Sequence, residues 1–352
     1  MISRRKTRSV RVGSVVIGGE ALVSVQSMTC TRTDDVKATS AQINRLEKAG
    51  CDIVRVAVPD LRAAQAIGEI KKRITIPLVA DIHFDYRLAL EAVRQGADKI
   101  RINPGNIGSG ERVKCVLDAA GGKGLPIRIG VNSGSLEKAL LKKHGAVTAE
   151  ALAESALEHV RMARAFGFHD IVVSIKASNV PCTIEANRLF SRSCDCPVHL
   201  GVTEAGTVRS GAVRSAIGIG TLLAEGIGDT IRVSLTADPE EEIRAGWEIL
   251  KSLKLRSRGI TLVSCPTCGR LQTKLIPIVN AAEKAFSRQT KALTVAVMGC
   301  AVNGPGEAKE ADIGVACGRG SALLFRKGKI VKKIAEKDIL KTLVKEVEQW
   351  QG

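Results

Sequence analysis

From Ala21 onward the chain alternates short β-branched apolar runs with stretches whose apolar residues recur at helical spacing. Such alternation predicts βα units around a parallel sheet. Eight runs read as strands: "ALVSVQSMT" (21–29), "DIVRVAV" (52–58), "IPLVADIH" (76–83), "KIRINPG" (99–105), "PIRIGVN" (126–132), "DIVVSIKAS" (170–178), "PVHLGVTEAG" (197–206) and "TIRVSLT" (230–236). Between them lie "AQINRLEKAG", "RLALEAVRQGA", "AEALAESALEHVRMARAFGF" and "EEIRAGWEILKSL", amphipathic helices with a glycine or polar stop. Eight units of this kind predict an α/β fold closed as a (β/α)8 TIM barrel. The preceding "VRVGSVVIGG" reads as a hairpin that plugs the barrel's amino-terminal end.

The βα rhythm stops after "LKLRSRG", which puts a boundary near 254–260 and divides the chain into 1–255 and 256–352. The second part reads as a small α+β domain. It runs from "ITLVSCPTCGR" through a helix in "KLIPIVNAAEKAF", a buried strand in "LTVAVMGC" and a Gly-rich turn ending at Glu307. A strand in "DIGVACG", a hairpin in "ALLFRKGKIVKKI" and an amphipathic helix in "EKDILKTLVKEVEQW" follow. A length of 352 residues, beyond what one core usually organises, agrees with two domains.

Composition narrows the class. Hydrophobic residues are 45% and charged residues 25%, and no apolar run approaches the roughly 20 residues that cross a bilayer. "MISRRKTRSV" is basic but precedes no apolar signal core, so a cytoplasmic protein is expected. In a reducing compartment clustered cysteines point to metal or catalysis, and scattered ones to inert core positions. The net charge of +17, with aromatics at only 3%, favours an anionic small molecule or an acidic protein over base stacking. From Arg256 onward 17 Lys and Arg face 8 Asp and Glu, so basicity is densest in the second domain.

Polar residues collect at the carboxyl ends of the predicted strands: Arg55, Asp81, His83, Arg101, Asn103, Arg128, Asn132, Lys176, Glu204, Arg232 and Ser234. That rim is where catalytic groups of such barrels project. Any one arginine also fits a salt-bridged structural role. Four arginines and a lysine converging on one mouth repel each other unless an anion neutralises them, and guanidinium forks match phosphate oxygens. A phosphate or diphosphate substrate follows. Lys176 and Glu204 read either as a buried ion pair or as phosphate ligand and proton donor. His83 reads equally as a supporting residue.

"SCPTCGR" places Cys265 and Cys268 on one tight turn, and Cys300 in "MGCAVNGPGE" can close on the same centre. Structural zinc would want a fourth Cys or His, and the domain has no histidine. Cys317, in the strand-like "IGVACG", reads as a buried apolar residue, whereas Glu307 ends the Cys300 loop. Three cysteines with a carboxylate suit an iron–sulfur cluster whose fourth iron is open to substrate, but the spacing alone leaves Cys317 a candidate. A redox C-x-x-C would sit in a thioredoxin-like unit, which the pattern lacks. Of the remaining cysteines, Cys30, Cys51, Cys115 and Cys182 read mostly as core, and Cys194 and Cys196 in "SCDCP" as a surface turn able to take adventitious metal.

"SCPTCGR", "MGCAVNGPGEA", "VTEAG", "RINPGNIG" and "IRIGVNSGSL" resemble the 4-hydroxy-3-methylbut-2-en-1-yl diphosphate synthase family of the non-mevalonate isoprenoid pathway, over essentially the whole chain. The resemblance implies reductive ring opening of 2-C-methyl-D-erythritol 2,4-cyclodiphosphate by two electrons. It also implies a [4Fe-4S] cluster on Cys265, Cys268, Cys300 and Glu307, in an α+β module of the sulfite and nitrite reductase kind. Arg55, Arg101, Arg128, Arg232, Lys176, Asn132 and Ser234 would hold the diphosphate, with Asp81, His83 and Asn103 beside them and Glu204 handling the proton. A homodimer, each cluster domain capping the partner's barrel, and flavodoxin or ferredoxin as electron donor are implied as well. The likeness is to the two-domain bacterial form. Among rivals, a barrel-type radical enzyme needs three cysteines near the first strand, where "VSVQSMTC" has only Cys30. A pterin-related synthase leaves the later cysteines unexplained, and a nucleic-acid binder rests on charge alone.

Overall fold

The computed structural model describes residues 2–300, 306 and 309–351. The chain falls into two compact units, Met1–Arg256 and Ser257–Gly352. At the end of the first, Arg256 donates to the Val23 carbonyl at 2.9 Å, pairs with Asp52 and lies 4.4 Å over the Trp247 ring.

The first unit opens with the hairpin β1 (Val10–Val12) and β2 (Val15–Ile17), antiparallel to each other. Eight strands follow: β3 (Ser24–Met28), β4 (Ile53–Ala57), β5 (Leu78–Asp81), β6 (Lys99–Ile102), β7 (Ile127–Asn132), β8 (Ile171–Lys176), β9 (His199–Leu200) and β10 (Thr230–Ile231). They pair in parallel from β3 through β8, and β10 joins β9 to β3. A parallel bridge from Val173 to Val198 completes the ring, giving the expected TIM barrel. Helices between the strands pack outside it, as in Val36–Ala49, capped by the Asp35 side chain, and Ala149–Ala165, capped by Thr148.

Strand alternation decides what the barrel contains. Val54, Val56, Leu78, Ala80, Ile100, Ile102, Ile127, Ile129, Ile171 and Val173 belong to the apolar layer beneath the helices. Their neighbours, one residue away, therefore point inward. At the amino ends these are Ile53, Val79 and Val172, and Val10, Val12 and Ile17 of the hairpin pack on them as the expected plug. Toward the carboxyl ends they are polar and cationic. β9 and β10 are much shorter than the runs 197–206 and 230–236 suggested, so Glu204 and Ser234 sit on loops beyond them.

The second unit is one mixed sheet in the order β11 (Ile260–Ser264), β12 (Leu293–Met298), β13 (Ile313–Gly318), β14 (Ser321–Arg326) and β15 (Lys329–Ala335). The first three strands are parallel and the last two return antiparallel. Helices Leu275–Phe286 and Ile339–Glu348 contribute Leu275, Ala282, Phe286, Ile339, Leu343 and Val347 to its core.

Candidate functional site

The barrel mouth is organised around one carboxylate. Asp81, at the end of β5, is 2% exposed. Its Oδ1 accepts from Arg101 Nη1 at 3.0 Å and its Oδ2 lies 3.4 Å from Arg55 Nε. These pairs arise from register: β4, β5 and β6 align Ala57 with Asp81 and Asp81 with Arg101. Burial works against the ionised Asp81, but Arg55, Arg101, Arg128 and His83 outweigh it and hold the carboxyl well below its usual range. Burial also lowers the Arg55 guanidinium to about 10; Asp81 opposes that, and Arg232 and Arg101 add to it.

Arg232, just past β10, is held by a second acid. Its Nε and Nη2 donate to Glu242 at 3.1 and 3.0 Å, and Glu242 also accepts from Ser27 Oγ at 2.9 Å and the Leu235 amide at 3.1 Å. Met28 Sδ lies 2.9 Å from Arg55 Nη2 and 3.8 Å from Arg232 Nη1. Asn132 accepts from Arg101 Nη2 at 3.1 Å in the amide orientation that satisfies both its ends. Asn103 caps the turn at Gly105 and donates to Ser135 Oγ at 2.9 Å.

The remaining cations have no carboxylate partner of this kind among the described residues. Arg128 is 1% exposed, and its Nε and Nη1 lack a hydrogen-bond partner among the described residues. Burial first, then Arg55 and Arg101, push its guanidinium well below its ordinary value. Lys176, also buried, is depressed in the same way by burial, Arg128, Arg55, Arg232 and Arg101. Two glycines make room for this crowding. A Cβ on Gly130 would meet Arg101 Nε at 2.6 Å, and one on Gly201 would meet Lys176 Nζ at 2.5 Å.

The mouth thus gathers Arg55, Arg101, Arg128, Arg232 and Lys176 around two carboxylates, Asp81 and Glu242. Excess buried positive charge with orphaned donors is a standing demand for a multiply charged anion. His83 is half exposed with its Nε2 3.8 Å from Asp81. Glu204 is exposed, and its φ of 52° is a left-handed conformation uncommon outside glycine. The alternative of a buried Lys176–Glu204 ion pair is therefore corrected, because a solvent-facing loop residue beyond β9 is not a buried partner. Ser234 is half-buried on the loop after β10.

Several residues of the site escaped sequence reading. Glu242 lies in the acidic first turn of the helix Pro239–Ser252, beside Glu240 and Glu241, in a segment read only as an amphipathic helix. Lys99 and His199 form a deeper layer. Both are fully buried, Lys99 Nζ and His199 Nε2 have no partner among the described residues, and His199 Nδ1 lies 3.4 Å from Thr230 Oγ1. Burial and then Arg128 lead the causes that depress both groups well below their ordinary values. The available signal was a lysine and a histidine at inward positions of otherwise apolar strands.

The cysteine loops follow from the second sheet. Cys265 comes directly after β11 and Cys300 two residues after β12, and the parallel register of those strands brings both to one edge. The Gly299 amide donates to Cys265 Sγ at 3.2 Å, and the Gln272 amide to the Gly299 carbonyl at 3.0 Å, tying the loops together. A side chain on Gly299 would collide with Leu271. Cys268 is exposed, and its thiol is lowered by hydrogen bonds from the Arg270 backbone and side chain. Cys265 and Cys300 also act on the Arg270 charge. Cys265 and Cys300 brought to one edge, with the exposed and lowered thiol of Cys268 in the same loop as Cys265, fit a thiophilic iron centre. Cys317 lies wholly buried within β13, its thiol pushed up to about 12 by burial, and belongs to the core. Glu307 lies outside the described residues. Of the other cysteines, Cys51, Cys194 and Cys196 are buried while Cys30 and Cys115 are exposed. The surface-turn reading of Cys194 and Cys196 is thus corrected: both thiols tuck under the loop.

No helix among the described residues is long and apolar enough to cross a membrane. By fold alone the chain is similar to the dihydropteroate synthase of Yersinia pestis, with a TM-score of 0.50 at 14% identity over 70% of this chain and 98% of that one. The family model "GcpE TIM-barrel domain" matches residues 7–247 and "GcpE protein C-terminal domain" matches 261–349. A protein of Ruminiclostridium cellulolyticum named 4-hydroxy-3-methylbut-2-en-1-yl diphosphate synthase (flavodoxin) is 60% identical over 99% of both chains. One of Bacillus subtilis with the same name is 58% identical over 98% of this chain and 92% of its own. With both domains matched and full-length identity at this level, the chain belongs to the GcpE family, the 4-hydroxy-3-methylbut-2-en-1-yl diphosphate synthases.

Proposed function

We propose that the chain converts 2-C-methyl-D-erythritol 2,4-cyclodiphosphate to 4-hydroxy-3-methylbut-2-enyl diphosphate. The reaction takes up two electrons and two protons and releases one water, so the ring C–O bond and the hydroxyl lost as water account for both reducing equivalents. The observation that carries this reading is the buried cation excess of the mouth, above all Arg128 with its orphaned Nε and Nη1. A cyclic diphosphate supplies two adjacent anionic groups on a compact carbon frame, which is the complement of that arrangement.

In this reading Arg55, Arg101, Arg128, Arg232 and Lys176 bind the phosphates, and Asn103, Asn132 and Ser234 fix the orientation of the sugar-derived carbons. Asp81 and His83 hold the arginines and the rim in place. Glu204, exposed on its strained loop, moves the proton at the reacting hydroxyl. Cys265, Cys268, Cys300 and Glu307 would hold a [4Fe-4S] cluster, which when bound supplies the electrons and an open iron as Lewis acid. The barrel serves as the substrate domain (1–255) and the second unit as the cluster domain (256–352).

Flavodoxin is the proposed donor, since the relatives carry it in their names and the net +9 from Arg256 onward suits an acidic carrier. A cytoplasmic homodimer completes the proposal, each cluster domain capping the partner's barrel. The exposed Val213 and Ile217, one turn apart on the helix Val208–Ala224, give the barrel an apolar stripe for subunit association.

Iron and acid-labile sulfide content of anaerobically purified protein tests the reading, with Glu307→Ala and Cys317→Ala beside wild type. About four irons in wild type and Cys317→Ala, with loss or alteration in Glu307→Ala, is the expected result. A single zinc, or Cys317 as a ligand, overturns it.

A further inference from the structure

The loop leading into β9 carries Cys194, Asp195 and Cys196, and the reaction above uses none of them. It lies at the amino ends of the barrel strands, the end opposite the mouth. Cys194 Sγ, a carboxylate oxygen of Asp195 and Cys196 Sγ all lie within 4.8 Å of one another. Cys194 is extended, with φ −146° and ψ 139°, and the hydrogen bond between the two cysteines puts their thiols side by side.

The loop is clamped by cations. Arg5 donates to the carbonyls of Ser191 at 3.2 Å, of Cys196 at 2.7 Å and of Cys194. The Arg8 amide donates to the Asp195 carbonyl at 2.9 Å. Arg164 pairs with Asp195 and donates to Cys196 Sγ at 3.5 Å. The charged groups acting on the two thiols are therefore Arg5, Arg164 and the already paired Asp195, with Arg8 acting on Asp195. Such surroundings favour thiolate and oppose a divalent cation, which would have to displace Arg164 from Asp195.

We propose that Cys194 and Cys196 are a redox-reactive dithiol, a modification site that closes to an intramolecular disulfide on meeting a small-molecule disulfide. Cys194 is the attacking group, being 9% exposed while Cys196 is wholly buried. A hydrogen bond from Cys196 lowers the Cys194 thiol, with burial opposing and Arg164 assisting, while Cys196 moves up. The Cys194 thiolate attacks one sulfur of the reagent disulfide, forming a mixed disulfide and releasing one thiolate. Cys196 gives up its proton and attacks the Cys194 sulfur, expelling the second thiol. Two protein thiols are oxidised and one reagent disulfide is reduced to two thiols. Two residues of extended chain span about 6.6–7 Å, at the upper edge of what a disulfide bridges. The bond is therefore readily reversed.

Trypsin releases both cysteines in one fragment, Ser193–Arg209, which contains no other cysteine. The full-length protein is exposed anaerobically to glutathione disulfide, alkylated with iodoacetamide, digested and weighed. The fragment is expected unalkylated and two hydrogens lighter, returning to the doubly alkylated form after dithiothreitol. In Cys196→Ser a persistent mixed disulfide on Cys194 replaces it. In reduced protein the alkylation rate of Cys194 should rise at a lower pH than that of a free cysteine, and Arg164→Met should move the rise upward and slow alkylation several-fold at mildly acidic pH. A fragment that stays doubly alkylated while exposed Cys30 and Cys115 are modified overturns the proposal. So does a stable mixed disulfide in wild type, or stoichiometric zinc released as the fragment is alkylated.

Discussion

Asp81 Oδ1 lies 3.0 Å from Arg101 Nη1 while its Oδ2 lies 3.4 Å from Arg55 Nε, so a single carboxylate divides itself between two arginines of the mouth. It restrains both guanidinium groups before any anion arrives, yet cancels only part of their charge. Asp81→Asn removes that restraint and leaves the cations facing one another. Breaking a buried pair of this kind costs about 3–5 kcal/mol, so the ligand-free melting temperature should fall sharply. Inorganic pyrophosphate should then recover more of the melting temperature in the variant than in wild type, because the anion takes over Asp81's role. Melting curves with and without pyrophosphate decide the matter. An unchanged ligand-free midpoint contradicts this account.

Lys99 is fully buried with its Nζ unpartnered among the described residues, and burial first and then Arg128 hold its amine well below its ordinary value. A lysine whose pKa is lowered by folding binds its proton less tightly than in the unfolded chain, and so lowers stability at pH values below its ordinary pKa. Lys99→Met should therefore stabilise the ligand-free protein, by about 2–4 °C for each kcal/mol recovered in a domain of this size. The same substitution should weaken pyrophosphate binding, since an amine buried under the influence of Arg128 and Arg55 is lost from the charged interior. Differential scanning calorimetry beside isothermal titration separates the two effects. A variant both less stable and tighter-binding would refute the trade-off.

The barrel was readable because eight apolar runs and their helices repeat without interruption, and because inward positions at the strand ends carry charge. What was illegible depended on who meets whom across the barrel. The Arg232–Glu242 pair joins a residue just past a strand to the helix that follows, where Glu242 resembles its neighbours Glu240 and Glu241. β9 and β10 looked long because "PVHLGVTEAG" and "TIRVSLT" are apolar enough, but the ladder ends at Leu200 and Ile231, and a side chain at Gly201, the next position, would meet Lys176 Nζ. Cys317 was readable as core from its β-branched and small neighbours, and the structure places it there.

Acid should weaken the barrel through His199. Its imidazole is buried beside Arg128, Lys176 and Lys99 and is held well below its ordinary value, burial being the largest cause. Below about pH 6.5 the unfolded chain takes up a proton that the fold refuses. With more protons on the unfolded state, stability rises with pH up to that value and falls as pH drops beneath it. The slope contributed by one such group approaches about 1.4 kcal/mol per pH unit. Urea midpoints measured from pH 5 to 8 should show this slope in wild type and a smaller one in His199→Gln. Identical slopes would remove His199 as the cause.

Glu242 offers the sharpest separation of positioning from binding. It receives two donors from Arg232 as well as Ser27 Oγ and the Leu235 amide, so its acceptors are divided among one guanidinium, β3 and the loop after β10. Glu242→Gln keeps the shape but removes the charge that makes a bidentate pair strong. Arg232 is then free to swing, and KM should rise by about ten-fold, roughly 1.4 kcal/mol, while kcat changes much less. Arg232→Met should lose more, because the phosphate contact goes with it. If Glu242 acts only through Arg232, adding Glu242→Gln to Arg232→Met costs little further, and the two free energies are strongly non-additive. Additive costs across that cycle would mean that Glu242 has a role at the mouth independent of the arginine it holds.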